Sequence, residues 1–122
     1  MTEELKQYKA FGKFVEWMGN QQIGNDSVGL WVNEFYTKTP IGFHRKVSDR
    51  ELLSLLVEFC DSERMCIEIS THLTGGECLF SDSVWNVKEI TKSLVNDSFI
   101  STRTEATKQA IVKIFELMES ER

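Results

Sequence analysis

Apolar residues recur at helical spacings of three and four in several stretches of the chain, and they alternate with polar residues in another. The first helical stretch is Leu5, Tyr8, Phe11, Val15 and Met18, widened by Phe14 and Trp17. It predicts an amphipathic helix over 3–18, ended by Gly19 and Asn20, which suit a left-handed backbone. "QQIGNDSVG" follows as a loop rich in turn formers. Residues 27–40 carry two patterns at once. Val28, Trp31, Val32 and Phe35 fit a helix face that Asp26 or Ser27 would cap. The Val, Trp, Phe and Tyr content suits a strand instead, and Gly29 weakens the helix. The balance falls to a helix, with Pro40 and Gly42 ending the segment in either case.

"VSDRELLSLLVEFCDSE" is a helix with its start marked. Ser48 and Glu51 form a capping box, in which hydroxyl and carboxylate each satisfy a free amide of the first turn. Leu52, Leu55, Leu56, Phe59 and Cys60 then share one face. The alternating stretch comes next: Met65, Ile67, Ile69, Thr71 and Leu73 on one side, Cys66, Glu68, Ser70 and His72 on the other. Gly75 and Gly76 supply the positive backbone angles of a tight hairpin turn. That turn sets Leu73 opposite Cys78, Thr71 opposite Phe80, and Ile67 opposite Val84. One face of the hairpin is therefore apolar. The other is mixed, and there Trp85 with Leu79 is either covered by the N-terminal helix or an exposed anchor, the first being the expectation because so apolar a helix needs a face to pack on. Segment 84–95 reads as strand by content or as helix by the spacing of Val87, Ile90 and Leu94. After the Asn96-Asp97 turn, "SFIS" is short enough for a strand end. A second capping box, Thr102 with Glu105, opens a helix whose stripe is Ala106, Ala110, Ile111, Ile114, Phe115 and Met118. This helix is expected to cross the apolar hairpin face.

The elements define an α+β fold, a three-stranded antiparallel sheet with N-terminal, central and C-terminal helices. The 122 residues suit one domain, with 1–46 a helical extension of a core at 47–122. From Val47 onward, the order of capped helix, three strands and long closing helix resembles the small phage-associated ABA-sandwich proteins. In those proteins a strand bearing Trp-x-Val precedes a closing helix that opens on threonine and carries alanines a turn apart. Trp85, Val87, Thr102, Ala106 and Ala110 occupy those places here. The proline often found before that helix is missing, and residues 1–46 have no counterpart. The resemblance implies an origin in phage or other mobile bacterial DNA. It brings no activity and no catalytic residue.

Composition narrows the function classes. Hydrophobic residues at 41% and charged residues at 27% belong to a folded chain. No apolar run reaches the roughly 20 residues of a membrane span, and "MTEELKQYKA" is charged where a signal peptide would be apolar. A cytosolic protein is expected. The net charge of −5 weighs against nucleic acid over most of the surface. Cys60, Cys66 and Cys78 lack framework spacing, so reduced thiols are expected. Cys66, His72 and Cys78 are also too far apart in sequence for a paired zinc motif, and the hairpin register puts the two cysteines on opposite faces. "THLTGGE" lacks the lysine and following helix of a phosphate loop. Neither His44 nor His72 stands in a catalytic context, so no enzyme, cofactor or metal is expected. One locally basic stretch remains, "KTPIGFHRKVSDR", read as a loop from which Phe43, Arg45 and Lys46 project. These three are the candidate partner-binding residues. A protein partner or a second copy is the preferred reading, and a nucleic acid bound through the 38–50 loop is the rival.

Overall fold

A computed structural model describes residues 3–25, 35–38, 44–96 and 98–120. Among them are three helices and two antiparallel three-stranded sheets, an α+β fold. The elements with the clearest sequence signals form as expected. Helix α2 (Asp49–Ser62) starts at its capping box, where the Ser48 hydroxyl accepts the Glu51 amide at 3.2 Å. It buries Leu52, Leu56, Phe59 and Cys60. Helix α3 (Arg103–Ser120) also starts as expected, with Thr102 Oγ1 accepting the Glu105 amide at 3.2 Å. Its box is only half made, because the Glu105 carboxylate accepts from Gln109 Nε2 instead.

Strands β4 (Met65–Thr74) and β5 (Glu77–Asn86) pair without a slip from Met65↔Asn86 to Thr74↔Glu77. Gly75 and Gly76 make the turn at φ 57° and 80°. Segment 84–95 resolves as strand: β5 continues to Asn86, and β6 (Thr91–Leu94) adds to its far side after a turn. Ile100 then exchanges two backbone bonds with Phe80 at 2.7 and 2.8 Å. The order of this sheet is β4-β5-β6. Helices α2 and α3 pack on its inner face, where Met65, Phe80 and Val84 are buried. The cover ends before the hairpin tip, and Leu73 on that same face is 80% exposed.

The N-terminal half departs from expectation. Helix α1 (Lys9–Asn20) starts late, because residues 3–7 form a turn that still buries Leu5. Gly19 and Asn20 stay helical, and Gln22 takes the left-handed angle at φ 62°. The expected loop and helical extension then give way to a second sheet. Its strands are β1 (Ile23–Asn25), β2 (Phe35–Lys38) and β3 (His44–Lys46), paired in chain order. The helix expected over 27–40 is overturned at 35–38; residues 27–34 lie outside the described residues. Phe35 explains the outcome: its ring faces Phe14 at 6.3 Å in the core, while pairing on both sides satisfies its strand's backbone.

Both halves meet in an aromatic centre. Phe14 of α1, Phe59 of α2 and Phe115 of α3 are fully buried, with ring centroids 5.5 Å apart for the first pair and 6.1 Å for the second. Helix α1 lies against α2, α3 and β1 rather than against the β4-β5-β6 sheet. Trp85 is therefore not covered by α1, contrary to expectation. It is half-buried within its own sheet, its indole donating to Glu68 at 2.6 Å with the Lys92 ammonium 5.5 Å from the ring centroid.

Candidate functional site

Of the three candidate residues, Phe43 lies outside the described residues, as do Pro40 and Gly42. Arg45 and Lys46 do not stand on a loop. They belong to β3, opposite Thr37 and Tyr36 of β2, and the Val47 amide extends the pairing to the Phe35 carbonyl at 2.6 Å. Because successive strand residues face opposite ways, the structure separates these two neighbours. Arg45 shares its face with Thr37 and Ile23 and turns toward α2. Lys46 shares the other face with Tyr36.

Arg45 meets Glu51 in a two-pronged ion pair, Nη1 to Oε1 at 2.8 Å and Nη2 to Oε2 at 2.9 Å. The same carboxylate accepts the Ser48 hydroxyl at 3.3 Å. Arg45 and the bonds from Ser48 hold the Glu51 carboxyl at about 2, against its ordinary 4.5. One glutamate therefore closes the helix cap and anchors the strand that enters it. Between the sheet and α2 lies an open groove of about 410 Å³, lined by Ile23, Thr37, Arg45, Arg50, Leu55 and Glu58 among others. Its lining mixes apolar side chains with both signs of charge. The sequence signal for this arrangement was present but divided, since Glu51 reads as a cap and Arg45 as a free cation.

Sequence reasoning missed two further features. Asp82 lies on the inner sheet face between Phe80 and Val84 and is wholly buried. The Asn96 side-chain amide donates to its two carboxylate oxygens at 3.3 and 3.5 Å and also to Gln109 Oε1. On the outer face, His72 Nε2 and Ser81 Oγ are 2.9 Å apart, and the imidazole lies against Phe99 at 4.5 Å. Among the described residues no carboxylate bonds the other ring nitrogen, so the pair lacks the group that would orient a catalytic histidine. Cys60 is buried, Cys66 half-buried on the outer face and Cys78 exposed on the inner one. Burial pushes both the Cys60 and Cys66 thiols up, away from the reactive thiolate. Among the described residues no group of three His, Cys, Asp or Glu side chains is placed to hold a metal, and no helix is long and apolar enough to cross a membrane. No protein-family model, no curated protein and no solved structure matches this chain.

Proposed function

We propose that this chain is a non-catalytic, cytosolic protein-interaction module, and that the groove between β1-β2-β3 and α2 receives a segment of another protein. The two-pronged Arg45–Glu51 pair carries this reading, because it sets both signs of charge in the groove lining beside the apolar Ile23 and Leu55. A protein segment offers both apolar side chains and charges of either sign, which matches this lining. The rival nucleic-acid reading loses support from the same pair. The Arg45 charge is already neutralised by Glu51, and the chain as a whole carries −5. The resemblance of 47–122 to phage-associated proteins supports a mobile-element origin only through the order of elements.

A photo-crosslinking residue at the exposed Ser54 tests the groove in the native host. One dominant protein adduct is expected, and it should disappear when the lining charges are reversed as Arg50→Glu with Glu58→Lys. An adduct indifferent to that reversal would remove the groove from the proposal. Salt-dependent binding of short DNA or RNA to the purified protein would install the rival.

A further inference from the structure

Strand edges in this fold differ sharply in how they are protected. β1 and β3 have three residues each, and β3 carries Arg45 and Lys46. β6 has four, one of them Lys92. Short length and lysine are the usual devices that keep an edge from pairing with another chain. β4 has neither. It runs ten residues, MCIEISTHLT, with no proline, no lysine and no bulge in its register.

The hydrogen-bond pattern shows which of its groups are open. Phe80 exchanges bonds with Ile100, and the Asp82 carbonyl accepts from Val95, so both direct their backbone away from β4. Their partners across the pair, Thr71 and Ile69, must then direct N–H and C=O outward. Alternation extends this to Ile67 and Leu73. Among the described residues no strand pairs with that edge.

We propose that this edge pairs antiparallel with the same edge of a second copy, about a twofold axis at Ser70, joining the two β4-β5-β6 sheets into one. The side chains select that register. It sets Glu68 of each copy opposite His72 of the other, and Ile67 opposite Leu73, which is 80% exposed in the single chain. Ile69 faces Thr71, and both pairs of open backbone groups find partners. A twofold at Glu68 would instead oppose two carboxylates. A twofold at Ile69 would set the exposed Leu73 against Met65, whose side chain is already buried. The interface stands apart from the groove beside α2, so either can fail without the other.

Sedimentation equilibrium on the intact chain should give twice its 14.1 kDa mass. Thr71→Pro removes an amide that bonds nothing among the described residues, and Thr71→Lys keeps that amide but sets a charge at the seam. Both should yield folded monomers with the circular dichroism of the parent. Ser70→Cys, in a Cys66→Ser/Cys78→Ser background, should oxidise to a covalent dimer, whereas Thr74→Cys in that background should not. A parent chain that stays monomeric at high concentration would overturn the proposal. So would dimers that persist in both Thr71 variants, or cross-linking no faster at position 70 than at 74.

Discussion

Glu51 joins two elements through one carboxylate, and its ionisation sets a pH window. A carboxyl held lower in the folded chain than in the unfolded one stabilises the fold above the unfolded value and loses that effect as pH falls through the folded one. For Glu51 the window runs from its ordinary 4.5 down to about 2. The stability difference between the parent and Glu51→Gln should therefore be constant near neutrality and shrink across that window, as followed by urea titrations at stepped pH. Ile90 is a residue of the opposite kind. It is β-branched, 81% exposed, and sits at φ 54° in the turn between β5 and β6. A left-handed backbone costs such a residue about 1 kcal/mol or more, and asparagine tolerates it better. Ile90→Asn should raise the unfolding free energy by about 1 kcal/mol. Unchanged urea midpoints would show that the turn is not strained.

At the scale of elements, the inner face of the hairpin changes from core to surface along its length. Val84 is buried beneath the helices, while Cys78 on the same face is exposed. Val84→Ala should cost about 2 kcal/mol, and Cys78→Ser should be nearly silent in the same denaturation assay. On the outer face Glu68 accepts from the Trp85 indole and from Lys92 at 3.1 Å, so Glu68→Lys both orphans the indole and opposes two ammonium groups. This hairpin was legible in the sequence because five alternations and a Gly-Gly turn agree on one register. The first sheet was not, because strands of three and four residues contain too few alternations to outweigh turn formers such as Gly24 and Asn25. Asp82 was missed for a different reason. Alternation puts it on the buried face, but a buried carboxylate only makes sense once Asn96 is known to reach it. The candidate site was half legible: the Ser48–Glu51 box showed in the spacing, whereas the pairing of Arg45 with Glu51 depends on β3 being a strand.

At the scale of the whole molecule, Phe59 is the ring at which the three helices meet. It touches Phe14 and Phe115, and Trp17 lies 6.0 Å from it. Phe59→Ala should cost about 3–5 kcal/mol. The loss should appear together in both halves, with Trp17 fluorescence in a Trp31→Phe/Trp85→Phe background and circular dichroism at the sheet wavelength following one transition. Two separated transitions would mean that the halves unfold independently.

The start of α1 has a consequence for the order in which this chain is made. Its N-cap residue, Tyr8, offers no side-chain bond to the helix, and the free Lys9 amide is met at 2.9 Å by the Glu119 carboxylate of α3. The Tyr8 hydroxyl reaches Glu116 of that helix at 3.3 Å. Helix α1 is therefore completed by α3, through a carboxylate made 110 residues after it. Until α3 emerges, α1 lacks both its terminal anion and the ring of Phe115, and short helices without tertiary support are marginal in water. Ribosome-bound chains stopped before residue 103 should leave α1 open to protease, and those long enough to expose α3 should protect it at once.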